Sequence, residues 1–243
     1  MSFSISRVED YEVLSRQVAH RITEALASTP NLLLCAAGGS TPLRAYQLLA
    51  ASRAAEAERF TKLRLVKLDE WGGLEPDDAG TCETQMRTHL IGPLGVTASR
   101  YLGFASNPAD PQAELARIRD LLATEGPPDL CILGLGMNGH LGMNEPAPVL
   151  QPFAHVAKLT QQSLGHSMLA QANKRPSYGL TLGMTEILAS REILLLVSGA
   201  AKRQPLERLL QRVITTEFPA SFLWLHSNWT LFYDAAACPA IAA

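Results

Sequence analysis

No stretch of this chain approaches 18 uninterrupted apolar residues, and its opening MSFSISRVEDYEV lacks the apolar centre of a secretory leader. Neither a membrane span nor an export signal is expected, and a cytoplasmic location follows as the expectation. The four cysteines, Cys35, Cys82, Cys131 and Cys238, show no CxxC pairing and no metal-ligand spacing. Two of them sit inside apolar runs, the pattern of buried free thiols in a reducing compartment. An excess of one charge is also missing, since 21 Lys and Arg stand against 23 Asp and Glu and leave a formal −2. Neither nucleic acid nor an anionic membrane is favoured as a partner, and a small molecule is the better expectation. Repeats, low-complexity tracts and Pro/Ser linkers are lacking too. The 243 residues, 47% of them apolar, are therefore read as one core-forming domain spanning 1–243.

What is present is an alternation of short apolar runs with helical patterns. In residues 8–26, Leu14, Val18, Ile22 and Leu26 recur every four positions and predict one buried helical face. Residues 31–37 (NLLLCAA) read as a strand that breaks into Gly38, Gly39, Ser40, Thr41 and Pro42. A helix follows, with Ser40 or Thr41 as its N-cap and Pro42 in its first turn. A second strand, residues 63–68, ends in Asp69, Glu70 and Trp71, followed by a Gly/Pro/Asp-rich loop over 72–80. Further on come a short helix (81–90), a brief strand (101–104), an amphipathic helix (112–122) and a strongly apolar strand (130–135). The C-terminal half reads as strands at 155–159, 178–182, 192–199 and 229–233, with helices at 161–172 and 201–212. Strands alternating with helices predict an α/β fold whose mostly parallel sheet is covered on both faces. In such a sheet the polar clusters at the strand ends converge on one edge.

Each cluster suggests a chemistry. Gly38, Gly39, Ser40 and Thr41, opening a helix, offer backbone N–H groups and two hydroxyls that suit a phosphate, although no Walker A lysine follows and an ordinary turn would look the same. Lys202, after Gly199, adds a full positive charge at a helix start where the dipole alone disfavours it. Asp69 and Glu70 are adjacent, so an extended backbone aims them to opposite sides and one of the two meets a given substrate. A carboxylate held against apolar walls gains proton affinity and serves as a general base, whereas a turn cap is the plainer role. In the stretch DLCILGLGMNGHLGMNEP, Asn138, Gly139, His140 and Glu145 lie in a Gly-rich loop at a strand's end. A carboxylate accepting from one imidazole nitrogen fixes the tautomer of the other, which makes His140 a proton shuttle. Metal binding is the weaker reading, because no second His or Cys stands at ligand spacing.

Taken in order, GGSTP, VKLDEW with GTCET, LGLGMNGHLGMNEP, TLG followed by LLLVSGAAK, and PASFLWLHSN resemble the glucosamine-6-phosphate and galactosamine-6-phosphate isomerase/deaminase family over nearly the whole chain. KLDEW, GTCET, the MNGHLG loop and ASFLWLHSN look most like the galactosamine branch. The 6-phosphogluconolactonases are a similar sister family, but Asn144-Glu145-Pro146 favours the isomerase/deaminase side. The resemblance implies a Rossmann-like, doubly wound α/β fold with no redox cofactor and no metal, and leaves a homo-oligomer open. It implies that Asp69 moves the C2 proton to C1, and that His140, oriented by Glu145, opens the sugar ring. Gly38, Gly39, Ser40, Thr41 and Lys202 would hold the phosphate, with Glu70 and Gly139 at the substrate.

Two departures from the family pattern stand out. Asn138 replaces the Asp that the glucosamine enzymes place two positions before the histidine, and an amide carries neither charge nor proton. Leu169 stands at or near the place of a phosphate-binding Arg, with His166 the nearby cation candidate. The match is also poor over 148–158, where the hexameric glucosamine enzymes contact an allosteric effector, so allosteric activation is not expected. The remaining alternatives are a lactone hydrolase and a sugar-phosphate sensor without chemistry.

Overall fold

The structure, a computed structural model, describes residues 2–237. Cys238 lies outside the described residues. Among the described residues ten strands occur in chain order: β1 (Ser2–Val8), β2 (Leu33–Ala36), β3 (Arg64–Lys67), β4 (Asp69–Gly72), β5 (Tyr101–Leu102), β6 (Leu130–Gly134), β7 (His155–Ala157), β8 (Tyr178–Thr181), β9 (Ile193–Val197) and β10 (Asn228–Asp234). Seven form a sheet in the order β1-β10-β9-β6-β2-β3-β5, with every neighbouring pair parallel. The chain runs outward from β2 through β3 to β5, then returns to β6 and runs outward the other way. The order thus reverses between β2 and β6, which is where a doubly wound sheet opens a crevice at its carboxyl ends.

The central strands are apolar on both faces because helices cover both faces. Alternate residues of β2, β6 and β9 divide between two cores. Leu33, Cys35, Cys131, Leu133, Ile193 and Leu195 join one, while Leu34, Ala36, Leu130, Ile132, Leu194 and Leu196 join the other. The helix Tyr11–Ser28 buries Leu14, Val18, Ile22 and Leu26 against the second core, as their spacing predicts. Its first turn is capped by Asp10, whose carboxylate accepts from the Val13 N–H at 2.8 Å. The helix Pro111–Glu125 inserts Leu115, Ile118 and Leu122 into the first core. Among the described residues no helix is long and apolar enough to cross a membrane. Likewise, no group of three or more His, Cys, Asp or Glu stands at metal-binding spacing among them.

Several local expectations change. The edge strand β1 was not expected; it pairs in parallel with β10, and Phe3 packs on Trp229 and Trp224 at ring separations of 4.6 and 4.7 Å. Residues 69–71, expected as the end of the strand over 63–68, instead form with Gly72 a separate strand, β4, that pairs antiparallel with β8, which also pairs with β7. A second sheet, β4-β8-β7, therefore sits beside the parallel one. The helix after β2 starts at Ser40, so Ser40 and Thr41 lie within its first turn, and Gly39 takes the cap position without a side chain to offer. The expected helix over 161–172 breaks at Gly165 into Gln161–Leu164 and the 3-10 turn Ser167–Gln171.

Candidate active site

The loops after β2, β6 and β9, together with strand β4, reach a single cavity of about 310 Å3. Asp69, Trp71, His140, Lys202 and residues 38–42 all line it.

Asp69 and Glu70 separate as adjacent strand residues must. Asp69 and Trp71 face the cavity, whereas Glu70 is wholly buried on the other side of β4. Glu70 was expected at the substrate, but protein donors occupy both of its oxygens. Oε2 accepts from Lys67 Nζ at 2.6 Å and from the Glu83 N–H at 2.8 Å. Oε1 accepts from the N–H groups of Trp71 and Cys82, each at 2.8 Å. Lys67 completes the cluster by donating to Glu83 at 2.7 Å and to the Phe104 carbonyl at 2.8 Å. Glu70 is thus a brace that ties β3, β4 and the helix Cys82–Met86 together. Among the described residues the Asp69 carboxylate has no such partners and accepts only from the Cys82 thiol, at 3.8 Å. Burial pushes its carboxyl up to about 6, the Glu70 charge adds to the rise, and His140 and Lys67 partly oppose it. That value suits a base working near neutral pH.

The His140 ring is held through an amide. Asn138 Nδ2 donates to Glu145 Oε2 at 2.8 Å, and Asn138 Oδ1 lies 2.8 Å from His140 Nδ1. The carboxylate only accepts, so it fixes which way the amide points; the amide oxygen only accepts in turn, so Nδ1 carries the ring proton. The Nε2 lone pair is left free to take a proton. Glu145 itself is 3.6 Å from Nδ1 and acts through Asn138 rather than directly. Burial pushes the Glu145 carboxyl up, but His140, Ser163 and Asn138 outweigh it and hold the group below the usual carboxylate value. Its other oxygen accepts from Ser163 Oγ, and from Thr160 Oγ1 at 3.4 Å. Gly136 is required beside the ring, since a Cβ there would stand 2.5 Å from the imidazole.

Gly139 was expected at the substrate but is buried behind the loop and does not line the cavity. With φ of 89° it turns the chain, its carbonyl accepts from the Ala220 N–H at 2.8 Å, and a Cβ would stand 2.1 Å from the Phe218 ring. Asn144 pins the same loop through two 2.9 Å bonds from Nδ2 to the carbonyls of Leu141 and Leu182.

The other end of the cavity is cationic and rich in donors. The 14-residue helix Ser40–Arg53 begins there, with Ser40 and Thr41 in its first turn, where backbone N–H groups lack helical partners. Gly39 contributes shape rather than a donor, because Gln85 Oε1 already accepts its N–H at 2.7 Å. Lys202 Nζ reaches the rim and donates to the Leu135 carbonyl at 2.6 Å, which leaves two of its three N–H groups for a ligand. Burial lowers its proton affinity. The turn that delivers it passes through Gly199 at φ 92°, held by Asp234, whose Oδ1 accepts the Gly199 N–H at 3.1 Å.

Sequence reasoning passed over Trp71, Cys82, Ser163 and Met143 as cavity walls, and Gln85 and Asp234 as the residues that hold the two glycine turns. Ser163 and Gln85 carry no local signal, since their partners lie 18 and 46 residues away.

The family described as glucosamine-6-phosphate isomerases/6-phosphogluconolactonase matches this chain over residues 8–232. "Putative deaminase AgaI" of Escherichia coli K12 is 40% identical over 226 residues, covering 93% of this chain and 90% of the relative. A glucosamine-6-phosphate deaminase of Bacillus pumilus is 35% identical over 244 residues, covering 96% and 98%. Among solved structures, a monomeric glucosamine-6-phosphate deaminase superposes with a TM-score of 0.91 at 32% identity, covering 96% of this chain and 98% of that one. With the model, two full-length relatives and a superposable fold in agreement, the chain belongs to the glucosamine-6-phosphate isomerase/6-phosphogluconolactonase family.

Proposed function

We propose that the protein is a hexosamine-6-phosphate isomerase/deaminase that converts galactosamine 6-phosphate and water to tagatose 6-phosphate and ammonia. The observation that carries this reading is the sharing of one cavity by Asp69, His140 and the cationic end formed by Ser40, Thr41 and Lys202. A carboxylate and an imidazole lining one cavity with an anion cradle support a base and a ring-opening group acting on a single hexose phosphate.

His140 Nε2 takes the proton of the anomeric hydroxyl and returns it to the ring oxygen, which opens the ring. Asp69 then takes the C2 proton of the open-chain 2-ammonio aldehyde while a proton of the ammonium passes to the C1 oxygen, leaving a neutral C1-hydroxy enolamine, and Asp69 gives its proton back at C1. The product is a C2 iminium bearing a C1 hydroxyl, and water hydrolyses it to the ketone and ammonium. The phosphate, bound away from the reacting carbons, supplies binding energy that holds C1 and C2 against the base. The KLDEW, GTCET and ASFLWLHSN motifs support the galacto epimer.

Ammonia release from the two epimeric hexosamine 6-phosphates, with acid release from 6-phosphogluconolactone alongside, tests the reading. The expected result is ammonia from both sugars, faster from the galacto epimer, and no lactone hydrolysis. Lactone turnover without ammonia would make the chain a hydrolase, and binding without turnover would make it a sensor.

A further inference from the structure

His166 lines the same cavity and has no part in the steps above. It precedes the 3-10 turn Ser167–Gln171 as its cap, with Nδ1 accepting the Met168 N–H at 3.2 Å. A ring nitrogen that accepts cannot bear the hydrogen, so the neutral imidazole carries it on Nε2. That edge faces the loop after β2, where a Cβ built on Gly39 would stand 3.7 Å from Nε2 and 3.8 Å from Cε1. Among the described residues no protein group accepts from Nε2, although the imidazole is half-buried and the indole of Trp71 packs beside it at a ring separation of 6.0 Å.

The surroundings say what this donor is for. Ser40, Thr41 and Lys202 share this cavity, and Asp69 is the one carboxylate among the residues that line it. A site with several N–H and O–H donors, a cation and a single carboxylate already assigned to proton transfer is built for an anion with many acceptor oxygens. We propose that His166 is a ligand of the substrate's phosphate, donating Nε2–H to it over the Gly39 turn alongside Lys202. This rests on the phosphosugar reading above and extends it to a residue outside the strand-end clusters. Burial, followed by the positive charges of His140 and Lys202, lowers the proton affinity of the ring. The ring thus serves as a neutral donor, and the full charge comes from Lys202.

The competing account is that His166 only caps its turn, and His166→Asn separates the two. Asparagine is a good N-cap and keeps an acceptor for the Met168 N–H, but it is too short to present a donor where Nε2 stands. Binding of inorganic phosphate, followed by calorimetry and by the imidazole nitrogen resonances, is the readout and needs no turnover. Phosphate should shift the His166 Nε2–H signal of the unaltered protein. The variant should bind phosphate about 10-fold more weakly, and its KM for the phosphosugar should rise in parallel while kcat falls less than about threefold. Unchanged phosphate affinity in the variant, an unmoved His166 signal, or a collapse of kcat with phosphate binding intact would each overturn the proposal. Should neither amino sugar release ammonia while phosphate still binds through His166, the deaminase reading fails and the ligand assignment stands.

Discussion

Asp69 holds its proton more tightly than a free carboxyl because burial and the neighbouring Glu70 make the charged form costly, and that cost has two readouts. The first is kinetic. A base that titrates at about 6 must be ionised to work, so the acid limb of kcat/KM is expected to fall through pH 6 as the pH is lowered, as a pH-rate profile on the hexosamine phosphate would show. The second is thermodynamic. The folded value lies above the unfolded value of about 3.9, so the folded state holds the proton more tightly. The stability contributed by this group is complete below about pH 4 and is lost as the pH rises through 6, on the order of 3 kcal/mol by pH 8. Asp69→Asn is therefore expected to unfold at a higher temperature than the unaltered protein at pH 8, with the gap closing toward pH 4. Thermal unfolding at the two pH values checks this.

At the same scale the sequence told a good deal. Asp69, His140 and Lys202 follow apolar strands directly, so strand patterning alone places them at one edge. Glu70 and Gly139 were misplaced because the direction each takes depends on partners far along the chain, Leu180 for Glu70 and Phe218 for Gly139.

Among the elements, β4 is the least legible and the most consequential. Its four residues, DEWG, have no apolar alternation, and they extend because β8, more than 100 residues later, supplies the antiparallel partner. The buried cluster of Lys67, Glu70 and Glu83 then fixes the strand against the helix Cys82–Met86. Burial works against the Lys67 charge, but Glu70 and Glu83 outweigh it and keep the ammonium charged. Lys67→Met is expected to destabilise the fold by about 3–5 kcal/mol, since it leaves the wholly buried Glu70 carboxylate without a counter-ion, whereas Glu83 keeps Arg87 at 2.7 Å. Denaturant unfolding measures this, and a loss under about 1 kcal/mol would mean that the N–H donors around Glu70 suffice without the ammonium. The helix Tyr11–Ser28 and strands β2, β6 and β9 were readable because each carries its own period, four residues for the helix and a continuous apolar run for the strands. The segment over 161–172 misled because its composition is helical, yet Gly165 and the capping ring of His166 divide it.

For the whole molecule, the parallel sheet and the place of its site follow from the order in which strands and helices alternate. The reversal between β2 and β6 brings the Gly38–Gly39 turn and the His140 loop side by side, although about 100 residues separate them in the chain. The second sheet adds Asp69 from β4 and was hidden, because antiparallel pairing between distant short segments leaves no trace in either one alone. The proposed activity requires the shared cavity to carry out the C2-to-C1 proton transfer through the carboxylate that β4 delivers. Ammonia release from hexosamine 6-phosphate by the unaltered protein and by Asp69→Asn, with inorganic phosphate binding measured on both, tests this most directly. A fall of at least about 10³-fold with phosphate affinity unchanged is the expected result; a variant that keeps turnover within about tenfold of the unaltered protein contradicts the account.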